Sequence, residues 1–304
     1  MSGRLVISFD CEGNWGIADF GVKELSDSGL TDETLRKIYA HTLATLKKHD
    51  LNCTFALVGL FVAGPSSASR FADETIGVEP YDKWLRTFRS CLSQGNTSGW
   101  FMPELPQKLL ESGGHELASH GYSHLPLLSD GVTEKVATQE LLQQRQLFEA
   151  LGQPLSSMVF PRNLIAYDDL LPDFGIDKWR GTKFGGRSLA NRARGLLSEL
   201  NVCAKSEAYD VGNREIPAGY FLNWKAGVRR LVAQRVTLQR WSHILESAAR
   251  DDRVAHLWLH PENLAAGSSQ VSLFEEAIEM AAAQVRRRRL RPCTFTQLFE
   301  GVKL

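Results

Sequence analysis

The chain has 304 residues, with 35 basic and 35 acidic side chains, so its formal net charge is zero. A balanced charge excludes the strong field by which proteins bind nucleic acid or an anionic membrane without specific contacts. The five scattered cysteines predict reduced thiols rather than a disulfide framework. No charged-then-apolar leader pattern and no run of about 20 apolar residues is present, so we expect a cytoplasmic protein that is not embedded in a membrane.

The first third of the chain begins with an apolar run at residues 6–9, which predicts a strand. A helical apolar spacing follows from Thr31, with acidic residues in the first turn and basic residues in the last. Residues 53–62 are predicted as a buried second strand. Residues 63–106 are rich in Gly, Ser and Pro and are predicted as an elaborated loop region. Its aromatic residues are interpreted as a satellite core, with substrate platforms as the alternative.

Strand and helix patterns continue to alternate through the rest of the chain. The predicted strands are residues 116–119, 157–160 and 253–260, and the predicted helices are residues 106–112, 133–151 and 274–285. Such alternation favours an α/β domain with a mostly parallel sheet and outer helices. We therefore expect residues 1–304 to form a single domain that carries the loop region 63–106 as an insertion.

His120 and His124 are the most informative residues, because two imidazoles four positions apart can bind one divalent metal ion. An acidic ligand is expected from the end of the first strand, where Asp10 and Glu12 follow an apolar run. Cys11 lies between them and is an alternative ligand. Residues 10 and 12 share one face of a strand, which favours Glu12 over Cys11.

Other reactive side chains also follow predicted strands. In parallel α/β proteins the ligand-binding and catalytic groups collect where strands end, because the loops there vary while the sheet stays rigid. The candidates at such positions are Asp10, Glu12, His120, Arg162 and His260. Their shared placement predicts one active site at one end of the sheet.

The motifs together resemble those of the polysaccharide deacetylase family, in the same order along the chain. They are Ser8–Gly16, Thr54–Phe55, Ser119–His124, Phe160–Asn163 and Leu257–Pro261. The first is similar to the branch of the family that has Asp-x-Glu in place of Asp-Asp-Gly. The resemblance covers roughly residues 4–300 and implies a distorted, incomplete (β/α) barrel of mostly parallel strands.

The resemblance also implies a metal-dependent hydrolase. Its one divalent ion, expected to be Zn²⁺, would be held by Glu12, His120 and His124. Asp10 would be the general base and Arg162 would pair with it, keeping it ionised and oriented. A salt bridge that serves only the fold is the alternative for Arg162. His260 would donate a proton to the departing amine.

The substrate implied by the resemblance is a carbohydrate or glycoconjugate. With no export signal recognised, we expect N-deacetylation of an acetamido sugar on a nucleotide-linked or lipid-linked precursor of surface-polysaccharide biosynthesis. One alternative is a hydrolase of small non-sugar amides or cyclic imides, since fold and metal do not choose the substrate. Another is an inactive glycan-binding relative. A broad groove lined by Trp84, Trp100 or Tyr122 would favour the sugar.

Overall fold

Strand β1, Gly3–Cys11, is the centre of the fold. The computed structural model describes residues 3–19, 21, 25, 29–182, 214–223 and 227–300. In this part of the chain β1 pairs in parallel with β2, Thr54–Leu57, and with β8, Val254–Leu259. All seven residues from Leu5 to Cys11 are buried, which is typical of a parallel strand covered on both faces.

The other strands extend the sheet on both sides of β1. They are β3 Glu116–Ser119, β4 Ser157–Met158, β5 Lys178–Arg180, β6 Glu215–Ile216, β7 Tyr220–Phe221 and β9 Leu290–Pro292. Their order is β6-β5-β4-β3-β2-β1-β8-β7, with β9 also against β1, and every pairing is parallel. The sheet curls with helices around it, which confirms the predicted incomplete (β/α) barrel.

Helices cover the outside of the curled sheet. Their bounds are α1 Asp32–Lys48, α2 Gly59–Ala63, α3 Pro65–Glu74, α4 Tyr81–Trp84, α5 Arg86–Ser93, α6 Leu105–Glu111, α7 Glu134–Ala150, α8 Gln234–Asp251 and α9 Ser268–Arg286. Short 3₁₀ turns lie at Gly13–Ile17, Pro161–Asn163, Asp168–Phe174, Gly227–Leu231, Pro261–Ala266 and Gln297–Phe299. Among the residues described, no helix has the length and apolar character needed to cross a bilayer.

The two faces of β1 have different surroundings. Leu5, Ile7, Phe9 and Cys11 pack into the large core between the sheet and the helices. Val6 faces the barrel interior, where it joins a second apolar cluster with residues such as Ala56, Ala118, Val159 and Phe295. Side chains of a strand alternate between its faces, so Ser8 and Asp10 share the interior face with Val6.

The seam of the incomplete barrel lies between β6 and β7, which end the strand order and are consecutive in the chain. The buried His256 of β8 lies beside this seam. Its Nδ1–H donates to the Pro217 carbonyl at 2.6 Å, and its Nε2 lies 2.9 Å from Ser8 Oγ. Both ring nitrogens of His256 therefore have partners, and the side chain lies deeper in the barrel than Asp10. Through these contacts His256 links the seam to β1.

The main sequence errors concern residues 58–106. The predicted second strand ends at Leu57, and the apolar residues after it form helix α2 instead. A short apolar run does not distinguish a buried strand from a buried helix. Residues 63–106, predicted as a loop region, contain helices α3, α4 and α5 and the start of α6. Their aromatics Trp84, Phe88, Trp100 and Phe101 are buried, and they belong to the main core rather than to a separate satellite core.

Candidate metal and catalytic site

Three predicted metal ligands meet at the carboxyl ends of β1 and β3. Nε2 of His120 lies 2.8 Å from Glu12 Oε1, and Nε2 of His124 lies 3.1 Å from the same oxygen. Both imidazoles are buried, and Glu12 is 13% exposed. The three ligand atoms lie within 4.8 Å of one another, which is close enough for one metal ion to bind all of them.

The loop that carries the two histidines is fixed by backbone bonds to the neighbouring strand connection. The N–H of Gly59 donates to the Gly121 carbonyl at 3.0 Å, and the N–H of Leu60 donates to the Tyr122 carbonyl at 2.7 Å. Gly121 has φ of +74°, and a Cβ added there would meet the Pro161 ring at 2.9 Å. A residue with a side chain would therefore strain this turn, which places His124 close to His120.

The hydrogen bonding of the imidazoles shows whether this set fits a metal. Nδ1 of His120 is 2.8 Å from the Val159 carbonyl, which can only accept, so Nδ1 carries the proton. In the neutral tautomer Nε2 then presents a bare lone pair to Glu12. Two acceptors this close require a cation between them or a charged imidazole. A backbone carbonyl behind the histidine is also the usual arrangement of a metal-binding imidazole.

His124 agrees with the same interpretation. Neither of its buried ring nitrogens has a hydrogen-bond partner, although Nε2 is 3.1 Å from Glu12 Oε1. His124 Nε2 and Glu12 Oε1 are close to each other but do not have hydrogen-bond geometry. The two atoms therefore face a shared position between them and do not bond each other. Burial lowers the pKa of His124, although the Glu12 carboxylate opposes this, so the imidazole is kept neutral and able to bind a metal. The residues therefore fit one divalent ion.

Cys11, the alternative ligand, points away from this site. Its Sγ is buried on the helix side of β1, 3.8 Å from the Phe9 carbonyl. Burial raises the pKa of the thiol well above its ordinary value, and the nearby carboxylates raise it further. A neutral thiol on the wrong face is a poor metal ligand. The geometry thus agrees with the strand argument for Glu12.

Asp10 lies two residues before Glu12, on the face of β1 that points into the barrel. Its Oδ1 accepts from Arg180 Nη1 at 2.8 Å and its Oδ2 from Nη2 at 2.6 Å. Arg180 Nη2 also donates to Asn163 Oδ1 at 2.8 Å, and the guanidinium stacks 4.1 Å from the Trp258 ring centre. Burial would raise the pKa of Asp10, but the charge and hydrogen bonds of Arg180, together with the nearby His120 and His260, outweigh it and the pKa is lowered. Asp10 is therefore ionised and rigidly oriented.

The predicted pairing of Arg162 with Asp10 was wrong. Arg162 forms its ion pair with Asp19, at the partly exposed rim, while Arg180 of β5 takes both oxygens of Asp10. Arg162 has a positive φ of 59° in the turn after β4, and its side chain is 24% exposed. Arg180 instead comes from a strand that faces the barrel interior, where its side chain is fully buried.

His260 follows β8 and lies beside the same cluster. Its Nε2 lies 3.4 Å from Glu12 Oε1 and 3.8 Å from Asp10 Oδ2, and its Nδ1 lies 3.5 Å from the Asn263 amide nitrogen. Burial alone would lower its pKa, but the Glu12 and Asp10 carboxylates prevail and raise it to about 9. The two carboxylates therefore favour the protonated form that a proton donor needs, and Asn263 rather than an acid lies next to Nδ1.

Two further residues, which the sequence did not single out, hold Glu12 in place. Gly16 leaves room for the carboxylate, since a Cβ added there would lie 1.9 Å from Glu12 Oε2. The buried Glu262, two residues after His260, accepts hydrogen bonds from the backbone N–H groups of Glu12 and Gly13. A glycine and an acid are common in any loop, so neither carried a signal without the fold.

The sequence profile of the family described as polysaccharide deacetylase matches residues 27–171. The matched segment, just under half of the chain, is identified as a polysaccharide deacetylase domain. The match includes His120 and His124, whereas Asp10, Glu12 and His260 lie outside it. This is a family of metal-dependent hydrolases, and some of its members are pseudoenzymes. No curated protein sequence matches the chain.

Solved structures that are similar to this chain have low sequence identity to it. A provisionally named polysaccharide deacetylase from Mycobacterium smegmatis is 15% identical, with a TM-score of 0.61 over 99% of this chain and 91% of its own. A cobalt complex of a family 4 acetyl xylan esterase from Clostridium thermocellum is 14% identical, with a TM-score of 0.46 over 97% and 90%. A family pseudoenzyme from Bacillus anthracis is 13% identical, with a TM-score of 0.48 over 100% and 67%.

Proposed function

We propose that the chain is a metal-dependent N-deacetylase of an acetamido sugar. The observation that carries the proposal is the convergence of Glu12, His120 and His124, with Asp10 and His260 both within 4.0 Å of this set. Hydrolysis of an acetamide needs an activated water, a stabilised oxyanion and a protonated leaving amine. The cluster contains a metal-binding triad, a base and an acid in one buried space.

A Zn²⁺ ion at the triad would activate a water molecule for attack and polarise the acetyl carbonyl. Asp10 would accept the proton of that water, while Arg180 keeps the carboxylate ionised and fixes its direction. His260 would donate from Nε2 to the nitrogen of the departing amine. The presence of both the base and the acid weighs against an inactive glycan-binding relative.

A cavity beside the site supports a sugar substrate. It has a volume of about 480 Å³ and is lined by polar and apolar residues that include Asp19, Lys83, Trp84 and Leu128. Trp84 is also a neighbour of the metal site, since its ring centre lies 6.0 Å from that of His124. An aromatic wall next to polar groups suits a pyranose, which has apolar faces and hydroxyl edges. Trp100 and Tyr122 do not line this cavity.

A cation near His260 supports a phosphate-bearing substrate. Phe221 packs 5.6 Å from the His260 ring and 4.5 Å from Trp258, and the Arg229 guanidinium lies 4.9 Å over the Phe221 ring. No carboxylate in the described part of the chain forms an ion pair with Arg229. Because guanidinium groups bind phosphate in two-point geometry, Arg229 is suited to a nucleotide-linked or lipid-linked sugar.

Such a precursor belongs to surface-polysaccharide biosynthesis, and its proposed compartment is the cytoplasm. The four described cysteines, Cys11, Cys53, Cys91 and Cys293, are free thiols. Unpaired thiols in this number support a reducing environment. Cys203 lies outside the described residues.

The direct test is release of acetate from N-acetylhexosamine carried on a nucleoside diphosphate, on a polyprenyl diphosphate, and on no phosphate. We expect release only with Zn²⁺ or a similar ion present, and a loss of about 10²–10⁴-fold in His260→Ala, which lacks the proton donor. Arg229→Gln should raise KM for the phosphate-bearing substrates and leave the phosphate-free one unchanged. Arg230→Gln is the neighbouring control.

Full activity in His260→Ala would contradict the assigned acid. Zinc binding without hydrolysis of any of these acetamido sugars would instead favour the glycan-binding alternative. Release of ammonia or amine from small amides alone would favour the non-sugar hydrolase.

A further inference from the structure

A buried carboxylate behind the metal site has no role in the chemistry proposed so far. Glu262 lies in the 3₁₀ turn that follows β8 and is 9% exposed. Its Oε1 accepts from the Gly13 N–H at 2.8 Å, the Tyr39 hydroxyl at 2.9 Å and the Glu12 N–H at 3.1 Å. One oxygen of Glu262 therefore accepts hydrogen bonds from two consecutive backbone N–H groups, those of Glu12 and Gly13.

The two backbone contacts stabilise the bend that aims Glu12 at the histidines. Glu12 has left strand geometry, with φ of −121° and ψ of −31°, and the next residues form a 3₁₀ turn. The first N–H groups of such a turn have no partner within it. In this buried position each would otherwise be left unsatisfied, which is costly. Glu262 supplies the missing acceptor, so the bend does not need to shift to find another.

Glu262 also connects the two sides of the site. It is two residues after His260, in the turn Pro261–Ala266, whose Asn263 N–H donates to the His260 carbonyl at 3.0 Å. His260, the proposed proton donor, therefore directly precedes the short turn that holds the backbone of the metal ligand. A change in the contact between Glu262 and Glu12 would alter the spacing between Glu12 and His260.

We propose that Glu262 is a positioning residue that fixes Glu12 for metal binding and thereby sets the affinity for zinc. The inference rests on the proposed function in taking Glu12 as the acidic ligand. It makes no use of the identity of the sugar. Outer groups that orient metal ligands typically change metal affinity about 10–100-fold when they are replaced.

The test is the Zn²⁺ affinity of variants of the full chain, measured by competition with a chromophoric chelator. Glu262→Met keeps a side chain of similar length without an acceptor, and we expect affinity about 10–100-fold lower. Glu262→Gln keeps a carbonyl acceptor and should restore affinity close to that of the wild type. Tyr39→Phe is the matched control, because it removes a contact to the same oxygen without freeing the Glu12 backbone.

Thermal unfolding of the metal-free variants separates positioning from general weakening of the fold. We expect Tyr39→Phe to lower Tm and to leave zinc affinity unchanged, while Glu262→Met lowers both. If Glu262→Met does not fold, Glu262→Asp withdraws the acceptor by one methylene and should weaken zinc binding about 10-fold. Unchanged zinc affinity in both of these variants, or an equal loss in Tyr39→Phe, would overturn the inference.

The two proposals fail in different ways. Wild-type protein that binds zinc but releases no acetate would overturn the proposed function, while weakened zinc binding in Glu262→Met would still support the positioning role. A wild type that binds no zinc would overturn both.

Discussion

The two segments that present the metal ligands are fixed in the same manner but by partners at very different distances along the chain. Glu140, in helix α7, accepts from the backbone N–H groups of Tyr122 and Ser123 beside the histidines, 18 and 17 residues away. Glu262 does the same for Glu12 and Gly13 from 250 and 249 residues away. The histidine loop is therefore supported locally, and the end of β1 is supported only once the barrel has formed.

The local support is also the more complete of the two. Both oxygens of Glu140 accept hydrogen bonds. Oε2 accepts the two backbone N–H groups, while Oε1 accepts from Ser123 Oγ at 2.6 Å and from the Tyr81 hydroxyl at 2.9 Å. In Glu262 only Oε1 is used, and the buried Oε2 has no hydrogen-bond partner. We therefore expect the histidine loop to tolerate loss of one contact better than the β1 end does.

The largest expected effect concerns the ligand at the β1 end. Glu12→Ala should reduce Zn²⁺ affinity by more than the roughly 100-fold cost of changing an outer group, because it removes one of three ligands. Cys11→Ser, the neighbouring control on the opposite face of β1, should leave the affinity unchanged. Equilibrium dialysis against Zn²⁺ measures both. The assignment would be reversed by retention in Glu12→Ala together with loss in Cys11→Ser.

The next effect tests the other long-range partner of the β1 end. Arg180→Met leaves the buried Asp10 carboxylate unpaired and should lower the free energy of unfolding by about 3–5 kcal/mol. Arg162→Met removes a partly exposed ion pair with Asp19 and should cost about 1 kcal/mol or less. Urea denaturation gives both values. Equal losses in the two variants would mean that Arg180 has no special role.

The same pair of variants predicts a shift with pH. Arg180 lowers the pKa of Asp10, so its contribution is present above the ordinary carboxylate value of 3.8 and is lost as the pH falls through the lowered pKa. Arg180→Met should therefore move the acidic limb of kcat/KM to higher pH, because Asp10 is protonated more readily. Arg162→Met should leave that limb in place. An unchanged acidic limb in Arg180→Met would mean that this limb does not report the pKa of Asp10.

A smaller effect distinguishes glycines in the two segments. Gly16→Ala places a Cβ against the Glu12 carboxylate, the flexible end of a side chain, so zinc affinity should fall about 10–100-fold while stability changes little. Gly121→Ala introduces a side chain at a φ of +74° and should cost about 1–2 kcal/mol of stability. Zinc titration and thermal unfolding of each variant make the comparison. Unaltered zinc binding in Gly16→Ala would show that Glu12 tolerates displacement.

The smallest expected effect is at the histidine loop. Tyr81→Phe removes one of four hydrogen bonds to Glu140 and should lower stability by about 1 kcal/mol. Zinc affinity should stay within about twofold of the wild type, since the two backbone contacts are kept. Chelator competition and thermal unfolding check the two statements. A tenfold loss of affinity would contradict the greater tolerance expected of this loop.

The elements that the sequence predicted well are those with strong local signals. Thr31 and Thr133 accept from the N–H groups three residues later and begin helices α1 and α7, as their capping side chains allow. Strand β3 has the predicted bounds, Glu116–Ser119. Helix α2, directly after Leu57, was missed, because a continuous apolar run lacks the polar alternation that reveals its period.

The strength of the local signal also decides which site residues could be predicted. The histidines and the acids could be predicted because they lie in short motifs at strand ends, and the structure brings all of them together. Arg180 could not, since β5 has only three residues and its place beside β1 depends on β4, β3 and β2 all pairing in order. A basic residue in such a strand is indistinguishable from a solvent-exposed one until the barrel interior is known.

The most direct test of the account is a crystal structure of the zinc-loaded protein with anomalous data collected at the zinc absorption edge. We predict one strong peak within about 2.0–2.2 Å of Glu12 Oε1 and of Nε2 of both His120 and His124. Asp10 should remain bound to Arg180 beside it. A peak at Cys11 Sγ, or zinc bound without Glu12, would contradict the account.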